Sequence, residues 1–264
     1  MPDTETNPLA NKPRSVSQTE QYEKCAWALK LKRIDHVVPR PAAWSHHGTA
    51  FHAVAEAFEL SGRTMGEEEA VQLFSDRYSA LVNKSLNLVP NTDVWMAAGL
   101  TGGEDIERRY VLGQQQVREY LGWAEDHPTK TYVTPDGKPG LELHFLVELG
   151  GVKVQGYIDQ LVHEPDGSVR PRDWKTGSTK SKFQLETYAI AVRKVYGETV
   201  NRADWYLAKE GRLSRALKLE DLKEHQIADR YAEMDAGVKR GDFPASPGFQ
   251  CRFCDVSHAC IFRK

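Results

Sequence analysis

Three alternating segments joined by two turns constrain this chain more than any other feature. LELHFLVEL (141–149) places an apolar residue at every odd position, the period of a half-buried strand. Gly150-Gly151 has the composition of a two-residue hairpin loop. VKVQGYIDQLVH (152–163) is the returning strand, Glu164-Pro165-Asp166-Gly167 the next turn, and SVRPRDWK (168–175) the third strand. The pattern predicts an antiparallel meander. A two-residue loop pairs Leu149 with Val152 and so sets Glu142 opposite Asp159. A three-residue Pro165-Asp166-Gly167 loop with its glycine at positive φ pairs Glu164 with Ser168 and sets Asp159 opposite Asp173. Three carboxylates then form a row on one face, with Lys175 two residues along on that face.

Opposed carboxylates on a sheet repel, and no stability argument favours them. A divalent cation removes the repulsion, and hard oxygen ligands suit Mg²⁺ or Mn²⁺. A lysine beside such a site can hold a water or stabilise charge on a phosphate. The plain alternative is three unrelated acids on a solvated sheet face, since one register slip turns a whole strand over.

Helical patterns lie on both sides of the meander. Ser17-Gln18-Thr19-Glu20 has capping-box spacing and predicts a helix carrying Cys25. A second helix is predicted from about Ser45 to Leu60, within WSHHGTAFHAVAEAFEL, and puts Gly48, His52 and Glu56 on one face, with Glu56 expected to pair with an arginine. Further helices are predicted over 67–84, 104–125, 182–196 and 222–239, and strands over 203–208 and 213–219. Residues 1–14 read as a disordered tail, and 15–264 as a single domain with a helical part (35–127), a core (128–220) and a cysteine module (243–264). Lys and Arg number 35 against 37 Asp and Glu, a net charge of −2, which excludes a uniformly basic coat for nucleic acid but not a local basic groove. No apolar run reaches the roughly 18–20 residues of a membrane span, and the polar N-terminus predicts no secretory signal. In such a chain four cysteines fit metal ligation or buried thiols better than disulfides.

Gly156-Tyr157-Ile158-Asp159, then 13 residues, then Asp173-Trp174-Lys175 resembles the core of the PD-(D/E)XK nuclease superfamily. Gln184-Leu185-Glu186-Thr187-Tyr188 resembles the Q-x-x-x-Y motif on the helix after that core, and Gly48-Thr49-Ala50-Phe51-His52 the upstream G-x-x-x-H motif of the RecB-like branch. The ordered set spans about residues 17–260. The resemblance implies an α/β, restriction-endonuclease-like fold: a mixed sheet with the meander at its heart, flanked by helices. It implies Asp159 and Asp173 as metal-binding carboxylates, the Trp174 carbonyl and His52 as further ligands, and Lys175 as the catalytic lysine. Glu142 matches an extra upstream acid, with Glu148 as its competitor. Gln184 and Tyr188 would orient the lysine or touch the DNA backbone. Arg170, Arg172, Lys180 and Lys182 bracket the site as candidates for phosphate contacts. Position 174 is Trp where a smaller aromatic is more familiar, so tighter packing is expected there.

Cys251-x2-Cys254-x5-Cys260 is a short, loop-rich module, and Cys25 completes the set of four. Such a module cannot bury a core alone, so a metal staple is physically reasonable. Four thiolates suit Zn²⁺ or an iron–sulfur cluster, and spacing does not choose. One N-terminal and three C-terminal cysteines are similar to the iron-binding nuclease domains of AddB-type enzymes and of RecB-like exonucleases of CRISPR adaptation, which implies a [4Fe–4S] cluster joining the two ends of the domain.

By resemblance, the chain is a divalent-metal-dependent DNA exonuclease acting at single-stranded ends. It would work in the cytoplasm of a bacterial or phage-infected cell, in repair, recombination, phage replication or CRISPR adaptation, alone or with a helicase or another partner of those pathways. A structure-specific endonuclease of the same fold is an alternative. So is a non-catalytic DNA-binding subunit, although neither the core Asp nor the Lys is missing. A zinc-stapled interaction domain is a third.

Overall fold

The computed structural model describes residues 7–177 and 181–263. In chain order the elements are α1 (Val16–Arg33), α2 (Ala43–Leu60), α3 (Glu67–Leu88), α4 (Gly102–Asp126), β1 (Leu141–Leu149), β2 (Val152–His163), β3 (Val169–Lys175), α5 (Lys182–Tyr196), β4 (Arg202–Leu207), β5 (Arg212–Leu213), β6 (Leu217–Lys218) and α6 (Glu224–Arg240). The strand order is β1-β2-β3-β4-β5, with β6 also on β4. β2 and β3 are antiparallel, whereas β3 and β4 are parallel and joined through α5, so the sheet is mixed.

In place of one domain over 15–264, the chain condenses into two compact units. One comprises Met1–Arg40, Phe145–Gly156 and Leu222–Lys264, and the other Pro41–His144 and Tyr157–Asp221. The reason lies in β1 and β2, which are long enough that their bases belong to one unit and their hairpin tip to the other.

The unit built on 41–144 and 157–221 holds α2, α3 and α4 around an aromatic core. Phe51, Phe58, Phe74, Tyr78, Tyr120 and Trp123 from the helices meet Trp174 and Tyr206 from the sheet. The Thr101 hydroxyl accepts from the Glu104 N–H and the Glu104 carboxylate accepts from the Thr101 N–H, a capping box that starts α4. Gly113 lets α4 close on α3, because a Cβ there would lie 1.8 Å from the Phe74 ring. The strand predicted over 213–219 is broken into β5 and β6. Between them the Ser214 hydroxyl accepts from the Trp205 N–H at 3.1 Å.

In the other unit α1 is capped two residues before the predicted cap, because the Ser15 hydroxyl accepts from the Gln18 N–H. The expected tail needs correction: residues 7–14 are packed. Leu9 and Ala10 are buried, and Leu9 joins Leu29, Met234 and Val238 in a small core. Arg14 is fully buried. Its Nε donates to Asp235 Oδ1 at 2.9 Å and its Nη1 to the Leu9 carbonyl at 2.7 Å, while its backbone bridges to β2 at Val154. Polar composition suggested disorder, but one arginine with a carboxylate partner orders the segment. Helix α1 breaks its dihedral pattern at Cys25 (φ −168°, ψ 100°), and the Trp27 N–H donates to the Pro244 carbonyl.

Candidate metal and active site

The strand register puts the acids together. The pairs Gln160–Arg172, Leu161–Pro171, Val162–Arg170 and His163–Val169 carry the ladder toward Asp159 and Asp173 as facing residues. Across β1, Leu161 N–H donates to the Gly140 carbonyl at 2.7 Å and the His144 and Tyr157 rings touch, so Glu142 faces Asp159. Gly156 is needed for this approach of the strands, because a Cβ there would come within 2.9 Å of the Phe145 ring. Glu142 has φ +41°, a left-handed conformation that costs a non-glycine residue on the order of 1–3 kcal/mol. That backbone accompanies a carboxylate 3.4 Å from His52 Nδ1.

His52 arrives from α2. Its Nε2 donates to the Trp174 carbonyl at 2.8 Å, and its Nδ1 lies 3.4 Å from Glu142 Oε1 and 3.5 Å from Asp159 Oδ2. Trp174 holds the site at three points. Its N–H donates to Asp159 Oδ2 at 2.8 Å, its carbonyl accepts from His52, and its fully buried ring packs edge-on to His52 and Tyr120. The tighter packing expected at position 174 is this insertion into the core. Lys175 Nζ donates to Asp173 Oδ1 at 3.0 Å and to Gln184 Oε1 at 3.0 Å, and Gln184 Nε2 donates to the Tyr188 hydroxyl at 2.7 Å. Ser181 caps α5 by accepting from the Gln184 N–H, which fixes the start of the helix face carrying Gln184 and Tyr188.

The charges are strongly coupled. Burial pushes the His52 imidazole down, but Asp159, Glu142 and Asp173 outweigh it and hold His52 up at about 9. Burial raises Asp159 to about 7, with Asp173 and Glu142 adding to the rise and His52 opposing it. Asp173 is also raised, by burial first, against the pull of Lys175. Ligand atoms of His52, Glu142 and Asp159 all lie within 4.8 Å of one another. An imidazole with two crowded carboxylates fits a divalent cation chemically, since the ion supplies the positive charge these acids lack. The Trp174 carbonyl borders this group through His52, whereas Asp173 points its carboxylate at Lys175.

Several expectations are corrected. Arg172 is buried, with Nε on Asp204 Oδ1 at 2.7 Å and its guanidinium over the Trp123 ring, so it cannot reach a phosphate. Arg170 is held between Glu164 and Asp204. Both arginines answer a carboxylate on the parallel strand β4, a non-local partner that local charge counting missed. Lys182 is exposed in the first turn of α5, and Lys180 lies outside the described residues. The arginine-paired glutamate of α2 is Glu59, with Arg63, rather than Glu56. Glu56 instead lines an open groove of about 630 Å³ with Gly48, Thr49, His52, Ala53, Glu142 and Tyr157. Tyr157 escaped the sequence reading, although its place two residues before Asp159 on the same face was a usable signal. Glu148, the competitor of Glu142, stands exposed on β1 near the hairpin tip, in the unit that lacks the other acids.

The four cysteines are half-buried free thiols. Cys25, Cys254 and Cys260 pack against the cluster of Ala28, Leu31 and Val256. The Gly248 N–H donates to Cys251 Sγ at 3.4 Å, and burial raises the Cys254 thiol. Arg40 ties the module down through the Cys254 carbonyl at 2.8 Å and the Ser257 hydroxyl at 3.0 Å.

A mixed sheet with acids on adjacent strands, a lysine two residues past the second acid, and a supporting glutamine and tyrosine on the next helix define a phosphodiesterase-type nuclease core. A sequence model of the PD-(D/E)XK nuclease superfamily matches residues 13–261, and the chain belongs to that superfamily. It is 41% identical over 258 residues to the Gene 69 protein of Mycobacterium phage D29, covering 94% of this chain and 96% of that one. It is 38% identical over 277 residues to the Gene 69 protein of Mycobacterium phage L5, covering 94% and 95%. Among solved structures, a candidate exonuclease from Eubacterium rectale shares the fold with a TM-score of 0.52 at 12% identity, over 98% of this chain and 92% of that one.

Proposed function

We propose that the chain is a divalent-metal-dependent DNA exonuclease that hydrolyses phosphodiester bonds at single-stranded ends. The observation that carries the reading is the convergence of His52, Glu142 and Asp159 beside an Asp173–Lys175 ion pair. His52, Glu142 and Asp159 would hold Mn²⁺ or Mg²⁺, with the Trp174 carbonyl and Asp173 at its margin. The ion supplies Lewis acidity and a more acidic bound water. The nitrogen ligand tilts preference toward Mn²⁺. Lys175, kept in place by Asp173 and Gln184, presents an ammonium N–H to the attacking water or to the phosphoryl oxygens, where negative charge grows in the transition state. Tyr188 holds Gln184, so the lysine is positioned through two successive hydrogen bonds. Lys182 is the remaining described candidate for a phosphate contact.

Cys25, Cys251, Cys254 and Cys260 would bind a [4Fe–4S] cluster as a structural staple, with Zn²⁺ as the rival. Among the described residues, no three of these thiols lie within 4.8 Å of one another. The mycobacteriophage relatives support a setting in the cytoplasm of an infected cell, and among the described residues no helix is long and apolar enough to cross a membrane.

The test is Mn²⁺-dependent digestion of end-labelled single- and double-stranded DNA and of circular single strands, with iron and sulfide quantified on the same anaerobic sample. Degradation of linear but not circular single strands is expected. Cleavage of circles would make the enzyme an endonuclease, and no cleavage of any DNA would overturn the reading. Zinc in place of iron would remove the cluster.

A further inference from the structure

The groove beside the carboxylates has one wall that hydrolysis does not explain. Tyr157 is 57% exposed, although the residue after it, Ile158, is completely buried. Its ring lies 5.1 Å from that of His144 on the neighbouring strand, at an interplanar angle of 58°. The two rings form an aromatic surface on the sheet face that also carries Glu142 and Asp159. Across the groove α2 presents Gly48, which has no side chain, and the small side chains of Thr49 and Ala53, so the space over the tyrosine is left open.

The electrostatics say what can occupy that space. Glu56 and Glu142 line the same groove. Away from the cation-binding group, a phosphate laid against this wall would meet Glu56 and no described lysine or arginine. With a phosphate at the cation-binding group, a neutral, flat part of the same nucleotide or its neighbour can lie over Tyr157. A nucleobase has that chemistry, and stacking on an aromatic ring is tolerant of sequence. A base held within a duplex keeps its faces on its neighbours, so the surface suits an unpaired one.

We infer that Tyr157, backed by His144, is a stacking platform for an unpaired base of the substrate and seats a single-stranded end against the carboxylate site. The inference rests on the DNA-nuclease reading and deepens it. The experiment is steady-state cleavage of a single-stranded oligonucleotide with Mn²⁺, comparing wild type, Tyr157→Ala and Tyr157→Phe. A second series moves one abasic nucleotide along the strand. Tyr157→Ala is expected to raise KM about tenfold with a much smaller change in kcat, and Tyr157→Phe, which keeps the ring, to restore the wild-type KM. At one position the abasic nucleotide should impair the wild type by a similar factor and Tyr157→Ala hardly further, since both remove the same contact. An unchanged KM in Tyr157→Ala, or losses that multiply at every abasic position, would overturn the platform while leaving the nuclease intact. A wild type that cuts no DNA would instead remove the nuclease reading, and the platform with it.

Discussion

The carboxylate site and the cysteine module are built in opposite ways. At the first, ordered backbone and buried partners fix the side chains before any ion arrives. Asp159 accepts from a main-chain N–H, His52 is tied to a main-chain carbonyl, and Lys175 is held by Asp173 and Gln184. At the second, two short 3-10 turns, Phe249–Phe253 and Ser257–Ala259, hold Cys251 in the first and are followed directly by Cys254 and Cys260, with Phe249, Phe253 and Ile261 left exposed around them. Among the described residues there, only Val256 and Ser257 are buried. One region has its geometry from the fold and lacks a charge. The other has only a small apolar cluster, Val256 with Ala28 and Leu31, and would gain further order from whatever its thiols bind. Losing metal should therefore silence the first without unfolding it and loosen the second.

That contrast can be broken by experiment. Lys175→Ala should reduce cleavage by roughly 10³-fold, the scale of losing a preorganised charge stabiliser, with DNA binding retained in a filter or anisotropy assay; unimpaired cleavage would take the lysine out of the chemistry. Cys254→Ser should lose iron and colour, and limited proteolysis should open the 243–264 segment. Intact resistance would mean that the module needs no staple. Mn²⁺ affinity should climb with pH. Below pH 7 both His52, held up at about 9, and Asp159, at about 7, carry protons that the cation must displace. Each displaced proton is worth up to about tenfold in affinity per pH unit. Calorimetry in buffers of different ionisation enthalpy should register the release, and a pH-independent affinity would contradict the ligand set. The smallest effect should be that of Tyr188→Phe, which removes the acceptor for Gln184 and should lower kcat by about tenfold or less with KM nearly unchanged. A change in KM alone would place Tyr188 on the DNA instead.

Much of this was legible in the sequence, for local reasons. Alternation and turn chemistry at Gly150-Gly151 and Pro165-Asp166-Gly167 gave the register that faces Asp159 with Glu142 and Asp173, because a two- or three-residue loop leaves little choice of pairing. Helix α5 was readable to the residue, since Ser181 starts it and Gly197 ends it in the left-handed conformation. What was hidden depended on partners distant in the chain. Arg170 and Arg172 looked like solvent-facing cations until β4 delivered Asp204, and residues 7–14 looked loose until Asp235 met Arg14. The positive φ of Glu142 carries no composition signal at all, because glycine or asparagine is the usual marker of that conformation. Serine at 214 splits a strand that apolar pattern alone drew as continuous.

Trp174 ties its neighbours in the aromatic interior to the chemistry at the surface. The residue that clamps an acid with its N–H and an imidazole with its C=O is anchored by the same indole that fills the space beside Tyr120. Any substitution that lets the indole shift by a fraction of an ångström moves two of the proposed metal ligands, Asp159 and His52, at once. Random variation in this nuclease should then show an unusual class of slow enzymes, fully folded and altered only at sites that no substrate ever touches.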